Sequence, residues 1–303
     1  LFQLYTLQQR QEALVKLQAK EQAIAEESVL RLASVGVLPI LGILIGVVLL
    51  IFLLAQRLIK KDRSLLSTNE NIPWSTPWDG ETIWQVFVAG FFGVQLFVSI
   101  LLVPILFGIL GINPTNFNVQ TQAFSVLVNY VLIALGAVLV VYFSVKSFLP
   151  LPEGWFNLNL SKSAFFWGIG GYFVALPLVI IVSLINQQIW QGQGGSNPLL
   201  SLALESKDGI AIAIFFITAA IAAPLFEEFL FRGFLLPSLT RYMPVWGAIV
   251  GSSLLFALAH LSLSEVLPLT TLGMVLGIVY TRSRNLAAPM LLHALWNLSL
   301  IHI

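Results

Sequence analysis

Long apolar runs alternate with polar segments along most of the chain. Four of these runs have about 20 to 30 residues each and no charged residue, namely Val35–Ala55, Trp84–Ile112, Ala123–Val145 and Ala164–Ile185. A helix of that length can cross the hydrocarbon core of a bilayer, which is about 30 Å thick. We therefore predict four membrane-spanning helices in the first two-thirds of the chain.

The last third of the chain continues with four further apolar segments. The first of them runs from Ile210 to Leu236, and the three that follow are shorter: Trp246–His260, Val266–Tyr280 and Leu286–Ile301. Because the apolar runs have the lengths of membrane-spanning helices or somewhat less, the predicted fold is all-α. We expect a polytopic transmembrane helical bundle of about eight spans.

The first 31 residues differ from the rest because they are polar and rich in Gln, Glu, Lys and Ala. Leucines and an isoleucine recur among them at roughly helical spacing, with charged residues between. This pattern predicts an amphipathic helix that lies on the membrane surface, pairs with another helix or is simply solvated. We divide the chain into this helix (1–31), an N-terminal membrane region (32–208) and a C-terminal membrane region (209–303) that carries the candidate chemistry.

Composition supports a membrane protein. Of the 303 residues, 58% are hydrophobic and only 10% are charged, whereas a soluble domain carries about 25% charged residues. The net charge of +1 offers no basic surface for nucleic acid, so we expect none as a partner. The chain has no cysteine, which excludes disulfides, thiolate metal sites and a cysteine nucleophile. The prediction is a multi-pass integral membrane protein in contact with lipid.

Three charged residues interrupt the run from Ile210 to Leu236: Glu227, Glu228 and Arg232. Ionisable side chains at membrane depth are costly, so they usually face a protein interior or a watery cavity. Glu228 and Arg232 stand one helical turn apart on one face and can form an ion pair. Glu227 is rotated by about 100° around the helix and is left uncommitted. The pattern fits a structural ion-pair cluster or, beside such a pair, a catalytic base.

Two of the chain's three histidines lie in the last spans, each with a partner one helical turn away. Phe256 and His260 share one helix face, and so do His293 and Asn297. A lone histidine on an apolar helix is more often a satisfied core residue than a functional one. Two such histidines, together with an unpaired glutamate on a third helix, favour a shared site.

The residue types of this set fit hydrolysis of an amide inside the bilayer or at its edge. Glu227 could take a proton from water and pass it to the leaving amine. His260 and His293 could orient that water or bind a divalent metal such as zinc. Asn297 could donate a hydrogen bond to the developing oxyanion. Because zinc sites usually have three good protein ligands, we favour a site without a tightly bound metal.

Three motifs follow one another on successive hydrophobic segments: Glu-Glu-x-x-x-Arg, Phe-x-x-x-His and His-x-x-x-Asn. Together they resemble the CAAX protease and bacteriocin-processing (CPBP, also called Abi) family of intramembrane proteases, to which the type II CAAX prenyl endopeptidase belongs. The resemblance covers roughly Ile210–Ile303, and the first two-thirds of the chain show no matching motif. It implies about eight transmembrane helices around a polar cavity, and a second motif glutamate that pairs with the arginine.

The same resemblance implies roles for the other motif residues. Glu227 would activate water, His260 and His293 would orient that water or bind a metal ion, and Asn297 would help to form the oxyanion site. The leading hypothesis is therefore an intramembrane endopeptidase that acts on a membrane-associated peptide or protein, of which a lipidated tail is one candidate.

Two other functions remain open at this point. One is a non-proteolytic scaffold or regulatory protein that binds another membrane protein, for which the N-terminal amphipathic helix would suit. The other is a transporter, since glycines and a proline break the fourth span. No inverted repeat is evident in the sequence, so the transporter ranks last.

Overall fold

The computed structural model describes residues 11–191 and 208–301, and within these ranges it contains helices, turns and no β-strand. The prediction of an all-α polytopic bundle is confirmed. Eight helices of 15 residues or more occur in the described residues: α1 (Gln11–Lys60), α2 (Gly80–Ile109), α3 (Val119–Val145), α4 (Lys162–Ile189), α5 (Gly209–Leu239), α6 (Val245–Ala259), α7 (Val266–Ser283) and α8 (Ala287–Ile301).

A helix lies at each of the eight positions that the apolar runs predicted. In the described part of the chain, six helices are long and apolar enough to cross a membrane, and these are α1 to α5 and α7. The helices α6 and α8 have 15 residues each, fewer than the roughly 20 that a full crossing needs. The last three helices, with 15, 18 and 15 residues, are thus shorter than the first four, as the sequence indicated.

Helix α1 is one continuous helix of 50 residues. It joins the predicted amphipathic segment to the first predicted span and is about 75 Å long at 1.5 Å per residue. Apolar side chains near its start remain exposed, for example Val15 at 62% and Ile24 at 55%. Residues 1–10 and most of the polar segment between α4 and α5 lie outside the described residues, and the division of the chain at residue 31 stays a prediction.

Glycine lets α1 pack closely against α4. A Cβ atom on Gly46 would lie 1.9 Å from the backbone oxygen of Phe173, so a larger residue does not fit there. Pro177 lies four residues after Phe173, and because proline has no N–H, that oxygen lacks its helical donor. The backbone of Gly46 covers the oxygen, in a position that suits a weak Cα–H···O contact.

The segment between α1 and α2 anchors the end of α5. Trp74 and Trp78 are buried there, and Trp78 Nε1 donates to Ser238 Oγ at 2.9 Å. The Trp78 ring also stacks on Phe234, with ring centroids 5.5 Å apart. These contacts hold the C-terminal half of α5, which is the helix that carries the motif glutamates.

Helix α5 is not a regular α-helix. Its segments Thr218–Ala222 and Phe229–Leu235 are π-helical, and they flank the α-helical segment Ala223–Glu228. In a π-helix each carbonyl accepts from the N–H five residues later, and such segments are often found at functional sites. Both motif glutamates therefore lie on a short α-helical segment between two irregular ones.

Candidate active site

Glu228 and Arg232 form a buried ion pair on α5. Arg232 Nη1 donates to Glu228 Oε1 at 2.9 Å, and both side chains are completely inaccessible to solvent. Arg232 Nη2 donates to the carbonyl of Gly273 in α7 at 3.1 Å, and its guanidinium lies 4.5 Å from the centroid of the Phe256 ring in α6. The two charges compensate each other in a place where either one alone would be costly.

His293 of α8 approaches both glutamates. Its Nδ1 is 2.8 Å from Glu228 Oε1, and its Nε2 is 3.9 Å from Glu227 Oε2. Because an ionised carboxylate only accepts, Nδ1 carries the proton of the short contact, and Nε2 of the neutral ring then has a free lone pair. The separation of 3.9 Å is too long for a direct hydrogen bond, so Glu227 Oε2 and His293 Nε2 face each other without one.

His260 lies directly after the last residue of α6 and is exposed. Its Nδ1 is 2.8 Å from the carbonyl oxygen of Phe256 and must be the donor there, so the Nε2 of a neutral ring is again free. The Phe256 ring touches both imidazoles, with centroid distances of 4.8 Å to His260 and 5.7 Å to His293. Among the described residues, His260 makes no direct hydrogen bond to Glu227 or His293.

Asn297 lies one turn after His293 on α8. Its Nδ2 donates to the carbonyl of Ala219 in α5 at 2.8 Å. Ala219 precedes Glu227 by about two helical turns. One N–H of the amide is thus occupied by backbone, and the amide carries a second N–H.

Glu227 has a partner that the sequence did not reveal. The hydroxyl of Tyr130 in α3 donates to Glu227 Oε1 at 3.3 Å and lies 3.5 Å from the carbonyl of Ala223. Glu227 Oε2 is buried and has no hydrogen-bond partner among the described residues. One carboxylate oxygen is therefore held by a phenol, and the other faces His293. The signal in the sequence was the pair of adjacent polar residues Asn129 and Tyr130 inside a largely apolar span.

Residues 209–299 match the family of type II CAAX prenyl endopeptidase Rce1-like proteins. The C-terminal third of this chain thus resembles the CAAX protease family. The match covers α5 to α8, and so it contains all three motifs. It confirms the family that those motifs indicated.

Two curated proteins resemble the chain over longer stretches. The membrane-embedded CAAX protease MroQ of Staphylococcus aureus (strain USA300) is 30% identical over 137 residues, which cover 43% of this chain and 54% of MroQ. The putative membrane peptidase YdiL of Bacillus subtilis (strain 168) is 24% identical over 210 residues, which cover 67% of this chain and 82% of YdiL. The chain thus spans about half the length of MroQ. No solved structure matches it.

With six apolar helices of spanning length and a CAAX protease region, the chain is a multi-pass integral membrane protein. A catalytic zinc ion is normally held by three protein ligands. In residues 11–191 and 208–301, no group of three or more His, Cys, Asp or Glu side chains lies close enough to hold a metal ion. The donors there do not fit a zinc site, so metal binding by His260 and His293 stays a prediction on which no step below depends.

An open cavity of about 330 Å³ adjoins the CAAX protease region between α3 and α5. The resemblance to the family implied a polar cavity, but the lining of this one is apolar apart from the phenol of Tyr130. That phenol connects the cavity to Glu227, to which it donates. The other lining residues are Val131, Ala134, Leu135, Val138, Ala222, Leu225, Phe226, Phe229 and Met290.

Proposed function

We propose that the chain is an intramembrane endopeptidase that hydrolyses a peptide bond in a membrane-associated substrate. The observation that carries the proposal is the buried, unpartnered Oε2 of Glu227 at 3.9 Å from His293 Nε2. The ion pair of Glu228 and Arg232 holds the other side of the same imidazole through Nδ1. The match of the C-terminal third to a family of membrane proteases supports the reaction class.

Glu227 is the general base of the proposed reaction. A water molecule beside Oε2 gives one hydrogen to that oxygen and directs the other to His293 Nε2. As the water oxygen attacks the carbonyl carbon of the substrate, the proton passes to Glu227. The carbon–nitrogen bond then breaks, and Glu227 returns the proton to the leaving amine. Glu228 takes no proton, because it accepts from both Arg232 and His293.

The remaining site residues act around this base. Tyr130 holds Glu227 Oε1 and so directs Oε2 towards the water. His260 presents its free Nε2 near the Phe256 ring and orients the water or the substrate. The second N–H of Asn297 is the candidate donor to the oxyanion.

The proposed substrate is a peptide or protein segment that reaches the site from the lipid. The apolar cavity beside Tyr130 would accept an apolar group of that substrate, for which a lipid attached to a peptide tail is one candidate. The membrane itself is then a partner, because the proposed substrate reaches the cavity from the lipid.

The test is hydrolysis of quenched fluorescent peptides, with and without an attached prenyl group, by purified protein in liposomes. Glu227→Gln keeps the shape of the side chain and removes the base, so we expect kcat to fall by about 10²–10⁴-fold. Glu153→Gln is the matched control, because Glu153 is exposed and lies in a loop. Full activity of Glu227→Gln would reject the base.

A non-proteolytic scaffold or regulatory protein is the second candidate. Its support is the start of α1, where Val15 and Ile24 remain exposed on a helix that continues into the first span. This function predicts that Glu227→Gln leaves the cellular phenotype unchanged, whereas removal of residues 11–31 abolishes it.

A further inference from the structure

Pro224 interrupts the hydrogen bonding of α5 just before the motif glutamates. In the π-helical segment that precedes it, the N–H of Ala223 donates to the carbonyl of Thr218, five residues earlier. In the same register, the carbonyl of Ala219 would accept from residue 224, which is proline and has no N–H. The alternative α-helical donor to Ala219 is the N–H of Ala223, which already serves Thr218. The Ala219 carbonyl therefore has no donor within its own helix.

Asn297 supplies the missing donor from another helix. Its Nδ2 is 2.8 Å from the Ala219 oxygen. At membrane depth no bulk water can replace it, and helices that contain proline depend on such donors from neighbouring side chains. His293, one turn earlier on α8, contacts Glu228 from the same helix face. The two contacts together fix the register of α8 against the turn of α5 that carries Glu227.

We propose that Asn297 is a positioning residue for Glu227 and that it acts through the carbonyl that Pro224 leaves free. The hydrogen bond and its effect on stability do not depend on any activity, whereas the effect on catalysis rests on the proposed endopeptidase function. Without this bond, the segment from Ala219 to Glu227 loses its hydrogen bond to α8. The distance from Glu227 to His293 is then no longer held.

The experiment is a double-mutant cycle between Asn297→Ala and Pro224→Ala, measured as thermal melting of the purified protein in detergent. Alone, Asn297→Ala should lower Tm by about 3 °C or more. Pro224→Ala restores an N–H at position 224 that can donate to the Ala219 carbonyl, so in this background Asn297→Ala should lower Tm by less than half as much. Equal losses in both backgrounds would overturn the inference.

Asn186→Ala is the matched control for this cycle. Its amide also donates to a backbone carbonyl of another element, that of Ser264, but it has no contact with the turn at Pro224. Its Tm loss should be the same with proline or alanine at position 224. If Pro224→Ala does not fold, Asn297→Leu provides the test, since it keeps the side-chain volume and lacks the donor. A wild-type Tm for Asn297→Leu would overturn the inference.

Kinetics separate positioning from mere structural support. On the fluorescent peptides, Asn297→Ala should lower kcat with little change in KM, and part of that loss should return in the double variant with Pro224→Ala. A loss of kcat that is identical in both backgrounds would overturn the positioning role. If no variant hydrolyses any peptide while the Tm coupling is present, the endopeptidase proposal fails and the assignment of the hydrogen bond stands.

Discussion

Helices α4 and α5 each contain a proline in a membrane span, and the carbonyl that each of these prolines leaves free meets a different kind of partner. In α4, Pro177 frees the oxygen of Phe173, which lies against the backbone of Gly46 in α1. In α5, Pro224 leaves the oxygen of Ala219 to the amide of Asn297. The first partner offers only weak Cα–H donation and close packing. The second offers a directional hydrogen bond from a side chain of the candidate site.

The helices around the two prolines differ as well. Helix α4 is α-helical from Lys162 to Ile189, across its proline. Helix α5 is π-helical on both sides of the segment that carries its glutamates. A proline in a span is therefore not a sign of function in itself. A freed carbonyl that a polar side chain occupies, next to buried charges, is the feature that distinguishes the site from the packing contact.

The largest expected effect comes from breaking the ion pair in the region of α5. Arg232→Ala leaves Glu228 as a buried charge without its guanidinium, and we expect the free energy of unfolding to fall by about 3–5 kcal/mol. Thermal or denaturant unfolding in detergent measures the change, with exposed Arg63→Ala as the control. Glu227→Ala should cost clearly less, because its only described hydrogen bond is the long one from Tyr130. An equal or larger loss for Glu227→Ala would contradict the assignment of the ion pair.

Some of this region was predictable because its geometry is local. Spacing of four residues on a helix places Glu228 beside Arg232 wherever that helix lies. Apolar runs of about 20 residues likewise predict the positions of the spans, because the bilayer sets their length. The hydrogen bond from Tyr130 to Glu227 could not be predicted, since it joins residues that are 97 positions apart in the sequence. The hydrogen bond from Asn297 to the Ala219 carbonyl could not be predicted either, because it depends on a π-helical segment and no residue pattern in the sequence indicates such a segment.

An intermediate effect is expected at the packing contact of α1 with α4. Gly46→Ala places a methyl group 1.9 Å from the Phe173 oxygen, so the two helices must separate. Overpacking of this kind typically costs about 1–3 kcal/mol of unfolding free energy. The matched control is Gly170→Ala on α4, where an added Cβ meets no atom within 4 Å. Activity per folded molecule should persist in both variants, and its selective loss in Gly46→Ala would mean that this proline region also serves the site.

The smallest expected effect tests whether directional contacts, rather than packing, distinguish the site. Tyr130→Phe removes only the hydroxyl that donates to Glu227 Oε1 and keeps the ring that packs on Phe226, whose centroid is 6.1 Å away. A single hydrogen bond is worth about 0.5–1.5 kcal/mol. If that energy orients Oε2 in the transition state, kcat should fall by about 2- to 10-fold, with KM and Tm nearly unchanged. Tyr142→Phe is the control on the same helix, because Tyr142 is 52% exposed. Equal kcat values for the two variants would show that Glu227 needs no phenol to hold it.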